Sequence, residues 1–190
     1  MLELAVLGLL KERSMHGYQL KKSLSETLGP FWQVSYGALY PALKRLRTQG
    51  AVEEVFPKTK VGRRRNVYRL TDKGERLFTE LLESVGERDA VGDDNGFRVR
   101  LAFFRYLKPE SRIGVLERRR AALYVRLGEL KQRLTSRGDD YTRSLMRHGL
   151  DSTERDISWL DDLIQAERRA VRRPRRARRK SPAGATEEGA

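Results

Sequence analysis

"VSYGALYPALKRLRTQG", Val34 to Gly50, is the stretch on which the reading of this chain turns. Leu39, Leu43 and Leu46 recur at the i, i+4, i+7 spacing of one helix face. Pro41 interrupts them, with no N–H to offer a helix, and Gly37 precedes it by four residues. With the leucines inward, Tyr36, Tyr40 and Lys44 form an outer stripe, and Arg47 lies near its edge. Ser35 is placed to cap this helix, and Gly50 stands where a chain leaving a helix turns left-handed. A recognition helix enters the major groove by its N-terminal end, so that turn must carry contacts and approach the DNA backbone closely. Proline costs least near a helix start. Gly37, whose carbonyl would meet the Pro41 ring, adds no side chain to the reshaped turn. Tyr36 and Tyr40 are suited to donate to phosphate or to stack on sugar edges. Packing of Tyr40 and Pro41 against a neighbouring hairpin is the plainer alternative.

Working outward, "LELAVLGLLKE" reads as a short helix, apolar nearly all round. "HGYQLKKSLSETLG" keeps a helical period through Tyr18, Leu20, Leu24 and Leu28 and is closed by Gly29-Pro30. It pairs with the Val34–Gly50 helix as a helix-turn-helix. The period then switches to strand-like: "AVEEVFP" and "RRNVYRL" flank "KTKVGR", the pattern of a β-hairpin with a glycine-containing tip. Tyr68 and Leu70 share one strand face, Val67 and Arg69 the other. "TDKGERLFTELLES" resumes a helix, capped by Thr71 or Asp72, with Asp72 and Glu75 at capping-box spacing. The order helix, helix-turn-helix, hairpin, helix is that of a winged helix. At the hairpin tip Arg63, Arg64 and Arg65 face Lys58 and Lys60. Five cations on one tip repel one another unless a polyanion neutralises them, and a winged helix places this tip over DNA phosphates.

Charge follows the same division. The net charge of +14 splits into +6 over residues 1–85, +1 over 86–167 and +7 over 168–190. The excess at the two ends and the balance between them suit a nucleic-acid-facing N-terminal domain, a neutral assembly domain and a basic tail. There is no cysteine and there are two histidines, His16 and His148, so thiolate metal sites are excluded and imidazole chemistry has little to work with. No nucleophile elbow, P-loop or dinucleotide fingerprint occurs, so no catalytic residue, cofactor or metal is expected. The apolar start, Met1–Leu10, breaks at "KER", is too short for a membrane span and lacks a signal peptide's flanks; the expected location is the cytoplasm, with no membrane partner.

The residues "HGYQL", "VSYGALYPALKRLRTQGAVE" and "GRRRNVYRLTDKGE" resemble the PadR family of bacterial transcriptional regulators, over most of residues 15–75. "FRVRLAFFRYLKPESR" and "WLDDLI" resemble that family's effector and dimerisation domain more loosely. The resemblance implies a homodimer on an inverted-repeat operator of double-stranded DNA, and repression relieved by a small-molecule effector. Two other readings compete: a sequence-independent nucleic-acid-coating or nucleoid-type protein, suggested by the tail, and a winged-helix regulator of the MarR-like type.

The expected organisation is mainly α with a small β-hairpin: a winged helix-turn-helix over 1–84, a linker over 85–96, a helical dimerisation and effector domain over 97–170, and a basic tail over 171–190. "ESVGERDAVGDDNG" supplies the linker, and Phe97 to Leu107 a helix stopped near Lys108-Pro109. Ile113, Leu116, Arg120, Leu123, Leu127, Leu130 and Leu134 then alternate steps of three and four, a coiled-coil-like seam that only Arg120 breaks. A last helix carries Ile157, Leu160, Leu163 and Ile164 on one face. Three helices with such narrow stripes can form a small bundle or be completed by a second copy. With no obvious partner large enough in the chain, the second is favoured, and the seam and this face are assigned to the dimer interface. The expected DNA-binding set is Ser35, Tyr36, Gly37, Tyr40, Lys44, Arg47, Arg63, Arg64 and Arg65. Phe97, Phe103, Phe104 and Trp159, with Tyr106 beside them, are candidates for an effector pocket, against the plainer reading that they are core. "RRAVRRPRRARRK" carries nine cations and no acid, which suits a non-specific DNA arm or a solvated tail.

Overall fold

A computed structural model describes residues 1–29, 32, 34–55, 66–84, 94–134 and 139–172. Its N-terminal part holds α1 (Leu2–Glu12), β1 (Met15–His16), α2 (Gly17–Leu28), α3 (Tyr36–Thr48), β2 (Val52–Val55), β3 (Val67–Leu70) and α4 (Asp72–Glu83). The C-terminal part holds α5 (Asp94–Ala102), a 3-10 turn (Phe104–Tyr106), α6 (Pro109–Leu134) and α7 (Asp140–Arg172). Mostly helical, with one small antiparallel sheet, the chain has the winged-helix architecture.

α1 is buried from Leu4 through Leu10, so it forms the centre that α2, α3 and α4 pack around. Leu20 and Leu24 of α2 and Leu39, Leu43 and Leu46 of α3 are sealed against it. Tyr18 is a correction to the period: it stands 69% exposed, on the opposite side of α2 from the core. The sheet has three strands in the order β1-β3-β2. Val52 faces Leu70 and Val55 faces Val67 across the hairpin, while Met15 pairs with Tyr68 on the outer edge. β1 adds a strand to the expected hairpin; two residues carry no period to reveal it.

The turn after α3 explains the "LTDKG" spacing. Gly50 takes φ 70°, which a side chain would strain. The Thr71 hydroxyl donates to the Gly50 carbonyl at 2.7 Å and accepts from the Gly74 N–H at 3.1 Å, so one side chain caps α4 and ties it to that turn. Asp72 is therefore inside the helix rather than at its cap. A Cβ on Gly74 would stand 2.0 Å from the Ala51 carbonyl oxygen, so only glycine lets α4 start this close to β2.

In the C-terminal half, α5 begins at Asp94, inside the stretch read as linker, and ends at Ala102; the chain then tightens into the 3-10 turn instead of continuing to Leu107. Pro109 opens α6, the position where its missing N–H costs nothing. α6 and α7 run antiparallel, from an Arg112–Glu167 pair at 3.3 Å to a Lys131–Glu154 pair at 3.3 Å. Between them Leu116, Leu123 and Leu127 meet Leu150, Ile157, Leu160 and Ile164 in one core cluster, with Leu130 and Leu163 partly buried against it. Ile113 is also half-buried. The seam and the face assigned to a dimer interface are thus each other's partner within the chain. Arg120 is tolerated in the seam because it ion-pairs with Asp161 of α7. No helix among the described residues is long and apolar enough to cross a membrane.

The two halves meet at the 3-10 turn. Phe103 is fully buried, its ring edge-on to Phe78 of α4 at 5.9 Å and pressed onto Gly8 of α1. Tyr106 packs edge-on to Phe78 at 5.5 Å, and Arg105 ion-pairs with Glu12. Arg112 holds the turn from the α6 side, its Nε donating to the Phe104 carbonyl at 2.8 Å.

Candidate nucleic-acid interface

The surface of interest begins with how α3 is fixed. The Ser35 side chain accepts from the Ala38 N–H at 3.2 Å, so the first turn is capped as the sequence led one to expect. Four leucine and alanine positions bury the inner face. At the far end Arg45 pairs with Glu3 of α1 at 2.8 Å, and Arg47 pairs with Glu54 of β2 at 2.5 Å. Glu54 is nearly enclosed, with 12% of its side chain exposed. Arg47 is therefore tied to the sheet, and its guanidinium balances a carboxylate that would otherwise oppose a phosphate backbone.

Pro41 lies in the second turn of α3, not its first, and leaves the Gly37 carbonyl without a helical N–H. Gly37 is exposed, and a Cβ there would meet only the Ser35 hydroxyl oxygen at 3.7 Å. Crowding within the chain is thus not what glycine relieves at this position. It leaves the outer surface of the first turn flat.

On that surface Tyr36 and Tyr40 stack with ring centroids 6.0 Å apart, 40% and 49% exposed. The Lys21 ammonium of α2 sits 4.0 Å over the Tyr36 ring, a cation–π contact that orders the ring. Lys44 continues the row, exposed, and among the described residues no carboxylate lies within ion-pair distance of it. Tyr40 leans the other way: a Cβ on Gly17 would be 3.0 Å from its hydroxyl. It borders an open cavity of about 600 Å³ lined also by His16, Gly17, Tyr18, Gln19, Asn66 and Tyr68. Burial, then the Glu54 carboxylate, raises the Tyr68 phenol above its ordinary value, so it keeps its proton at neutral pH. The plainer expectation for Tyr40, packing beside the hairpin, describes half of its surface.

Of the expected DNA-binding set, Ser35, Tyr36, Gly37, Tyr40 and Lys44 share one exposed face, and Arg47 is its paired edge. Arg63, Arg64 and Arg65 lie outside the described residues, as does the tail from residue 173. Lys21, Tyr18, Gln19 and Asn66 border the same face and were missed. The signal for Tyr18 was present: one phase of α2 places it opposite Leu20 and Leu24. Asn66 and Gln19 gave none, because the pairing of β1 with β3 brings them together.

The aromatic candidates divide. Phe97 and Trp159 line a second cavity, of about 370 Å³, between α5, α6 and α7, with their rings edge-on at 6.1 Å. Arg119 and Asp94 pair at its wall, and the Arg119 guanidinium lies 5.6 Å over the Phe97 ring. Phe104 stands behind Phe97, edge-on at 6.5 Å, and does not line the cavity. Phe103 is removed from it altogether, because the 3-10 turn points it into α1 and α4.

Comparison with known proteins bears on both halves. A family model described as "Transcriptional regulator PadR-like family" matches residues 6–80, and one described as "Virulence activator alpha C-term" matches residues 95–167. The negative transcriptional regulator PadR of Bacillus subtilis (strain 168) is 26% identical over 177 residues, which cover 86% of this chain and 95% of that protein. The crystal structure of B. subtilis PadR in complex with operator DNA is similar with a TM-score of 0.43 and 21% identity, covering 87% of this chain and 97% of that one. For B. subtilis PadR in complex with p-coumaric acid the TM-score is 0.39 and the identity 22%, covering 88% and 98%.

Proposed function

Because the chain belongs to the PadR-like family of transcriptional regulators, we propose that it reads an operator in duplex DNA through the Tyr36–Lys44 row of α3. The observation that carries this reading is the two-sided character of α3: one side is sealed into the core, and the other presents stacked tyrosines and an unbalanced lysine. The name of the B. subtilis relative supports repression as the sign of regulation. Arg63, Arg64 and Arg65 would add phosphate contacts from the hairpin tip, and the Arg-rich tail further non-specific attraction.

The reading is tested with a duplex that the protein itself selects from a random pool, compared with unselected duplex. Tyr36→Ala and Lys44→Ala are each expected to cost about 1–3 kcal/mol on the selected duplex if they reach base edges, and less on random DNA. Equal losses on both would make them backbone contacts. Wild-type protein that shows no preference between the two duplexes would favour the coating-protein reading instead.

A single winged helix covers too few base pairs to find one site in a genome, so a paired reader is required. We assign the pairing surface to what the α6–α7 core leaves uncovered. The first two turns of α7 extend past the end of α6 and are exposed from Asp140 through Leu145, with Tyr141 88% and Leu145 70% exposed; Tyr124 and Val125 lie open on α6. Bare apolar side chains on a projecting helix are what a second copy would bury. Tyr141→Arg with Leu145→Arg is expected to sediment as monomer with an unchanged helical spectrum, and to bind its selected duplex at least tenfold more weakly. A dimer that persists in this variant places the interface elsewhere.

The cavity beside Phe97 and Trp159 is the best candidate for an effector, since it joins aromatic faces to a charged wall next to the turn that locks α5 onto the winged part. Domain limits of 1–84, 85–96, 97–170 and 171–190 remain a useful working division, with α5 beginning at Asp94.

A further inference from the structure

The cavity between α2 and the base of the hairpin shares only Tyr40 with the α3 row, and its chemistry is unlike that of the row. Its lining has hydroxyls from Tyr18, Tyr40 and Tyr68, amides from Gln19 and Asn66, the His16 imidazole, and the Gly17 backbone. Among these no side chain is an acid, a lysine or an arginine. We propose that this hollow is a second DNA-contact site, a seat for one sugar–phosphate strand built without acid, lysine or arginine, beside the α3 row. The proposal rests on the DNA-binding reading above and extends it to residues outside the recognition helix.

Three features point to a strand as the occupant. The hollow is continuous with the α3 face through Tyr40, whose ring belongs to both, and it ends at Asn66, where β3 begins. A duplex lying along α3 towards the hairpin would pass over it. Tyr18 is 69% exposed although it is a large aromatic in a well-formed helix, and nothing among the described residues covers it. The floor is also kept open: His16 Nδ1 lies 3.4 Å from the Asn66 carbonyl, drawing α2 to β3. At Gly17 a Cβ would crowd the Tyr40 hydroxyl at 3.0 Å. Tyrosine, glutamine and asparagine side chains are common donors to phosphate and sugar oxygens, and such contacts fix register without reading sequence.

Neutral donors make a distinctive prediction. Losing a lysine or arginine contact flattens the salt dependence of binding, whereas losing a neutral donor lowers affinity and leaves the slope alone, because no counterion is involved. The test uses the full chain and two fluorescent duplexes, one selected by the protein from a random pool and one unselected. Tyr18→Ala and Asn66→Ala are both exposed changes, and each is expected to weaken binding to both duplexes by the same factor, about five- to tenfold, with an unchanged salt slope. Tyr18→Phe separates hydroxyl from ring and is expected to lose part of that factor. Wild-type affinity in both alanine variants would overturn the proposal, as would a loss confined to the selected duplex or a flattened slope. Lys44→Ala in the same assay keeps the two readings apart. If it weakens the selected duplex while the Tyr18 and Asn66 variants are silent, the seat fails and the recognition helix stands. If wild-type protein binds neither duplex, both fail.

Discussion

Phe103→Ala is expected to cost about 3–5 kcal/mol of stability, the range for removing a fully enclosed phenylalanine whose cavity cannot collapse. The ring is sealed between α1 and α4 and makes the edge contact to Phe78 that joins the two halves of the chain. In thermal unfolding the midpoint should fall by on the order of 10 °C. Gly8 gives a sharper check. A Cβ there would stand 2.5 Å from the Phe103 ring, which is itself fully buried. Gly8→Ala should therefore destabilise the wild type yet do little harm, or help, in the Phe103→Ala background, where the new methyl enters the vacated space. Additive losses in the double variant would mean that the two positions do not touch. The 3-10 turn makes contacts on both sides: Phe104 abuts Phe97 at the cavity, while Phe103 and Tyr106 grip Phe78.

Leu160→Asp is expected to be as damaging, for a different reason. Leu160 is 1% exposed between α6 and α7, so the substitution buries a carboxyl in the apolar seam, where the nearby Arg119 and Arg120 are already paired with Asp94 and Asp161. Burial favours the neutral form, so the new carboxyl titrates above its unfolded value of about 3.9. Below pH ~4 it is neutral in both states, and only the lost leucine packing is felt. As pH rises above that value the unfolded chain ionises first, and the deficit grows until the folded carboxyl ionises too. Urea unfolding at pH 4.5 and pH 7.5 should show a variant several kcal/mol weaker than wild type, with the larger deficit at pH 7.5. A deficit that does not change with pH would place Leu160 in contact with water. From the sequence alone the same change would be expected to split a dimer and leave the fold intact. The antiparallel packing of α7 on α6 makes it a change to the fold itself.

That difference shows where local pattern stops. The α3 helix was legible because everything that makes it lies within Val34–Gly50: leucine spacing, a serine cap, and a terminal glycine that takes φ 70°. The hairpin of β2 and β3 and the α4 start followed from nearby residues in the same way, down to the faces of Tyr68 and Arg69. The outward tyrosines and Lys44 were legible as the complement of a buried stripe. β1 was not, since Met15 and His16 have meaning only against Tyr68 and Val67, some fifty residues away. Nor was the cavity that this pairing creates from Gln19 and Asn66. The α6 seam was read as an apolar face and assigned to a second copy, whereas α7 of the same chain packs on it. Hydrophobic burial is non-directional, so a stripe of leucines demands cover without stating whether the cover comes from the same chain or another copy. Phe103 and Phe104 were likewise adjacent aromatics in a presumed helix, and only the tightening into a 3-10 turn sends one into α1 and α4 and the other behind Phe97. Local spacing determined the elements and which face of each must be hidden; the closing of distant segments on one another decided what hides them, and with it which side chains remain exposed.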